Sequence, residues 1–107
     1  MRHRLIFELS VLAIISAPAH AATSPSVERG RAFAAANCAR CHSIDKATAS
    51  PLSIAPPFRT LHNRYPVDSL QEALAEGIVT GHPTMPEFQL DPGQTVDFIN
   101  FLKSLER

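Results

Sequence analysis

The chain has 107 residues with ten basic and ten acidic side chains, so its formal net charge is zero when the histidines are neutral. That length holds one domain at most, and no block of like charge marks nucleic acid or an anionic membrane as a partner. Six phenylalanines, one tyrosine and no tryptophan are a thin aromatic stock, and a chain this short buries little surface unaided.

Met1-Arg2-His3-Arg4 is a basic start, followed by an apolar run over residues 5–15 with Glu8 inside it. Ser16-Ala17-Pro18-Ala19-His20-Ala21 then offers an A-x-A cleavage pattern. The apolar run is shorter than the ~20 residues a bilayer span needs. Residues 1–21 therefore read as a secretory signal peptide, with an uncleaved anchor as the alternative. Residues 22–107 read as the working domain, which implies a periplasmic or secreted protein with no transmembrane span. Losing Arg2, Arg4 and Glu8 turns ten basic and ten acidic side chains into eight and nine, a net charge of −1.

Ser24-Pro25 predicts a helix start, with serine as cap and proline at the first position. Good or tolerable helix formers continue to Asn37. Gly30 stands out within them, because a mid-helix glycine costs about 1 kcal/mol relative to alanine. A close helix–helix contact would account for it, with an aromatic ring of the partner approaching and Phe33 anchoring the same face. The helix runs into Cys38-Ala39-Arg40-Cys41-His42. A C-x-x-C-H run is the attachment pattern of a c-type haem. Two thiols at this spacing can each add to one of the two vinyl groups on a haem edge, and the following histidine is then placed under the iron. A thioredoxin-like pair would need a βαβ context, and a structural zinc site would need two more close ligands. The sequence contains neither. Both cysteines of the chain lie in this run, so no thiol is left over for a structural disulfide.

Prolines and serines over residues 43–57 predict a loop. Phe58-Arg59-Thr60-Leu61 predicts a short helical turn whose Phe58 and Leu61 cover the haem, and Tyr65-Pro66 ends it. A second helix follows, with Asp68 as cap, Gln71 completing a capping box, a stripe of Leu70, Ala73, Leu74 and Gly77, and Gly77 at its end. Residues 79–88 read as an extended, stiff loop. The last helix begins at Asp91-Pro92-Gly93-Gln94, again with a capping box. Its stripe is Phe98, Phe101, Leu102 and Leu105, broadened by Val96 and Ile99. No segment alternates like a strand, so the fold class is all-α.

The second axial position of a haem decides between electron transfer and ligand chemistry. Met85 is the one methionine left once Met1 leaves with the leader. It stands between Pro83 and Pro86, whose rings restrict the backbone. Its thioether is the candidate metal ligand opposite His42, with His62 and His82 as rivals and a gap-filling core role as the bland alternative.

The helix with Gly30, the C-x-x-C-H run, Ala55-Pro56-Pro57-Phe58, Gly81-His82-Pro83-Thr84-Met85-Pro86 and the aromatic last helix together resemble a small single-haem class I c-type cytochrome of bacteria. The resemblance spans essentially residues 22–107. It implies N- and C-terminal helices that cross, with Gly30 and Phe33 near Phe98 and Leu102, and loops wrapping one covalent haem c. It also implies that the Pro56 carbonyl accepts a hydrogen bond from the far ring nitrogen of His42. Arg59, with Arg64 and Tyr65, is a candidate to hold the haem propionates. Phe33, Phe58, Leu61, Leu74, Phe88, Phe98 and Leu102 are expected to exclude water. Only Lys46 and Lys103 follow residue 21, so the lysine-ringed docking face of mitochondrial cytochrome c is not expected.

The expectation is a one-electron carrier between exported or membrane redox partners and not an enzyme, since no nucleophile–base pair or oxyanion arrangement can be assembled. The alternatives are a haem enzyme or gas-binding protein with a displaceable Met85, and a fixed haem subunit of a dehydrogenase or oxidase complex.

Overall fold

A computed structural model describes residues 10–17, 23–78 and 84–107. Three α-helices and two short 3₁₀ helices make up its regular structure: α1 (Pro25–Asn37), 3₁₀ helices at Phe58–Asn63 and Val67–Ser69, α2 (Leu70–Glu76) and α3 (Pro92–Ser104). The fold is all-α. The only strand-like pairing among the described residues is a single antiparallel bridge between Ile78 and Phe88.

Both long helices start as their sequences direct. The Ser24 hydroxyl accepts from the Val27 amide at 3.2 Å, with Pro25 in the first turn. Asp91 accepts from the Gln94 amide at 2.8 Å, and the Gln94 side chain accepts from the Asp91 amide at 3.2 Å. This reciprocal box satisfies two amides that the first turn would otherwise leave unpaired.

The start of α2 departs from expectation. Asp68 does not cap it, because residues 67–69 wind as a 3₁₀ turn and Ser69, already helical, sits at the cap without a side-chain bond. The Asp68 carboxylate instead meets Lys103 of α3 at 2.7 Å, tying the two elements at the surface. Gly77 ends α2 at φ 105°, a backbone conformation that a side chain disfavours.

α3 packs most extensively against α1. Gly30 is where they touch: a Cβ there would lie 2.6 Å from the Phe101 Cβ and closer still to the Asp97 carbonyl oxygen. The partners of Gly30 are thus Asp97 and Phe101, each one residue before the Phe98 and Leu102 expected, while Phe33 meets Phe98 edge-on at 5.6 Å. Polar bonds flank the contact. Asp97 accepts from Ser26 and from Arg29, each at 2.7 Å, and these two donors hold its carboxyl below the usual range, Arg29 foremost. Arg31 lies over the Phe101 ring at 5.1 Å. Phe101, Ile99 and Leu102 are the largest fully buried side chains, each contributing roughly 1.5–3 kcal/mol through burial. Val96 does not broaden this face. It is exposed, and Thr95 is buried in its place with its hydroxyl donating to the Asp91 carbonyl at 2.9 Å.

Candidate functional site

α1 ends where the C-x-x-C-H run begins, and the turn that follows gathers its side chains. The Cys38 and Ala39 amides both donate to the Ala34 carbonyl, at 2.8 and 3.0 Å. The Cys41 and His42 amides then donate to the Cys38 carbonyl, at 3.1 and 3.0 Å. This turn brings Cys38, Cys41 and His42 to the wall of one cleft. Both cysteines are free thiols, and burial pushes the Cys38 thiol up to about 11.

The cleft has a volume of about 250 Å³ and is open on one side, just below the ~300–1000 Å³ that ligand sites commonly span. Pro56, Phe58, Leu61, Arg64, Tyr65, Leu74, Met85 and Phe88 line it as well. His42 Nδ1 lies 2.8 Å from the Pro56 carbonyl oxygen. A carbonyl can only accept, so the ring proton sits on Nδ1 and leaves the Nε2 lone pair free for a metal.

Phe58, Phe98, Phe33 and Phe88 form an aromatic row along the cleft, with successive centroids 5.7, 5.6 and 6.5 Å apart and rings steeply inclined. Such edge-to-face pairs contribute about 0.5–1.5 kcal/mol each beyond burial. The row begins beside His42, whose ring lies 4.8 Å from Phe58. It ends at Phe88, three residues after Met85 in the chain. The Ile78 amide donates to the Phe88 carbonyl at 3.0 Å, and the Leu90 amide to that of Leu74 at 2.8 Å. The segment carrying Met85 is therefore anchored to α2 at its base.

Several expectations about the site change. Arg59 does not line the cleft. Its Nη1 donates to the Thr48 carbonyl at 2.7 Å, the Ser43 hydroxyl at 3.2 Å and the Asp45 carbonyl at 3.4 Å, which turns the guanidinium onto the loop after His42. Arg64 and Tyr65 remain in the cleft wall, and Arg64 is its one charged side chain among the described residues. Leu102 is buried at the helix crossing and not in the wall. His62 is exposed and faces a separate recess with Asp68 and Lys103. His82 and residues 79–81 and 83 lie outside the described residues. Sequence reading missed Leu52 and Ile54, which form part of the rim while staying 37% and 62% exposed. Their spacing of two within the proline-serine loop is the signal that could have found them.

The loop after His42 has its own acid sensitivity. Bonds from the Thr48 hydroxyl, then from the Thr48 and Ala47 amides, hold the Asp45 carboxyl down at about 2 against an ordinary 3.8. A carboxyl lowered in the folded state stabilises above its unfolded value and loses that contribution as pH falls through the folded one. The stability difference between wild type and Asp45→Asn should therefore be constant from neutrality to about pH 4 and shrink between pH 4 and 2. Denaturant unfolding at a series of pH values reads it, and a constant difference throughout would refute the assignment.

The donor set suits a covalently held haem: two free thiols at vinyl spacing, an imidazole with its Nε2 free, a thioether on the same cleft and a wall that is mostly apolar. Residues 27–106 match the Cytochrome c family. A cytochrome c-553-like protein of Synechocystis sp. is 34% identical over 79 residues, covering 73% of this chain and 68% of its own. No solved structure matches the chain. Three-quarters of its length, the crossing of α1 and α3 and the attachment run in the cleft wall lead to one identity: the chain belongs to the Cytochrome c family, as a small bacterial class I cytochrome that carries covalent haem c in electron transport.

Proposed function

We propose that His42 and Met85 would ligate the iron of a haem c attached through Cys38 and Cys41, and that the protein is an exported one-electron carrier between redox partners. The observation that carries this reading is that both side chains line one apolar cleft, with the imidazole proton of His42 already committed to Pro56. Haem c, when bound, supplies a reversible one-electron couple between ferrous and ferric iron.

The protein's own residues do the rest. Pro56 fixes the tautomer of His42 and raises its basicity as a ligand. Phe58, Leu61, Leu74 and Phe98, with Phe33 and Phe88, keep water from the cleft, and a low surrounding dielectric tunes the potential. Arg64 and Tyr65 at the rim supply a guanidinium and a phenol for the propionates. Residues 1–21 act as a leader that is removed. In support, the part of the apolar run covered by residues 10–17 joins no core, with Val11, Leu12, Ile14 and Ile15 all 85–91% exposed. Among the described residues no helix is long and apolar enough to cross a membrane.

Mass spectrometry after acid–acetone extraction tests attachment and processing together. Protein recovered from its source should have the mass of residues 22–107 plus one haem. Cys38→Ala should leave a single thioether, and the Cys38→Ala/Cys41→Ala pair should leave none. A wild type that loses its haem to the solvent would overturn covalent attachment, and a chain that keeps Met1 would overturn the leader.

A further inference from the structure

Arg59, dismissed from the cleft, stands at the head of a directed chain of hydrogen bonds. The Thr48 hydroxyl donates to the Asp45 carboxylate at 2.5 Å. Its proton is thereby spent, so in the 3.2 Å contact between the Ser43 and Thr48 hydroxyls Ser43 is the donor. Ser43 in turn accepts from Arg59 Nη1 at 3.2 Å. The chain runs from a cation through two hydroxyls to an anion, with each hydroxyl donating once and accepting once. Such chains strengthen their members cooperatively.

Its middle member adjoins His42. Ser43 is 3% exposed, and its remaining polar groups are also used: its amide donates to the Ser50 hydroxyl at 3.0 Å, and its carbonyl accepts from the Phe58 amide at 3.0 Å. The two stretches joined in this way, residues 43–48 and residues 58–59, leave from the two ends of the His42 Nδ1–Pro56 hydrogen bond. Displacing either stretch changes the length or angle of that bond, and a bond of 2.8 Å weakens steeply as it bends.

We infer that Arg59 is a positioning residue for His42: acting through Ser43 and Thr48, it holds the chain on both sides of the His42–Pro56 hydrogen bond and so sets how strongly the imidazole donates to iron. The inference rests on His42 being an axial ligand. A weaker Nδ1–H bond makes the imidazole a poorer donor, favours ferrous iron and raises the potential. Arg59 acting as a propionate counter-charge would do the reverse, because its loss removes a positive charge and lowers the potential.

The test uses the holoprotein with Ser43→Ala, Arg59→Met and the pair. Ser43→Ala cuts the chain without changing charge. The readouts are solvent exchange of the His42 Nδ1 proton by NMR and the midpoint potential. Each single change should speed exchange at least tenfold, and the pair should do little more than the larger single. Ser43→Ala should raise the potential by up to a tenfold change in the redox equilibrium, 59 mV for one electron. Should Arg59→Met fail to mature, Arg59→Lys keeps the charge and tests the lost fork geometry with the same readouts. Unchanged exchange in Ser43→Ala overturns the inference, as does a lower potential confined to the Arg59 variant. If wild-type His42 gives no iron-bound imidazole signal, the ligation reading falls and takes the inference with it.

Discussion

Gly30→Ala should destabilise the holoprotein by about 2–3 kcal/mol, although alanine is the better helix former by about 1 kcal/mol. The added methyl would sit inside contact distance of the Asp97 carbonyl oxygen and 2.6 Å from the Phe101 Cβ. Both atoms belong to or adjoin the α3 backbone, so no flexible side-chain tip can step aside. The two helices must separate, and overpacking of this kind typically costs 1–3 kcal/mol, occasionally more. Separation also strains the Arg29–Asp97 pair and lifts Arg31 from the Phe101 ring. Urea unfolding should show a lower midpoint with an unchanged slope. Gly93→Ala supplies the control, since its Cβ would meet only Asp91 Oδ1 at 3.4 Å, and it should be neutral or stabilising by up to about 1 kcal/mol. Equal midpoints for the two variants would mean that α1 and α3 do not cross at Gly30.

What the sequence made legible was whatever depended on neighbours close in the chain. The caps at Ser24 and Asp91 are satisfied within four residues, and both formed as read. The C-x-x-C-H run is a five-residue pattern, and the turn that gathers it into one wall uses only bonds back to residues 34 and 38. The misreadings each involve a competitor distant in sequence. Asp68 had a capping partner three residues on, but Lys103 was available from α3. Val96 and Thr95 lie side by side on α3, and which one is buried depended on how that helix rotates against α1. Arg59 was read from its charge alone, without the three acceptors that the loop over residues 43–48 presents. Pairing of His42 with Pro56 was available only through resemblance, because nothing local in either residue specifies it.

Met85→Ala should abolish the sulfur-to-iron charge-transfer band of the ferric protein. It should also lower the midpoint potential by on the order of 0.1 V, a fraction of the ~0.8 V range that axial ligands command. A thioether is a soft ligand that favours ferrous iron, so removing it favours the ferric state. The geometry supports this assignment over its described rival. Met85 is half-buried in the wall that holds His42, close in sequence to Phe88, which the Ile78 amide and the Phe33 ring both secure. His62 faces a different recess. His82→Ala is the necessary companion variant, and it should leave band and potential as they are. If His82→Ala moves them and Met85→Ala does not, histidine replaces methionine as the ligand and the reading shifts to a low-potential haem. A third outcome is a wild-type ferric spectrum that is already high-spin, with carbon monoxide bound readily on reduction. That result would remove Met85 from the iron altogether and convert the proposed carrier into a ligand-binding haem protein.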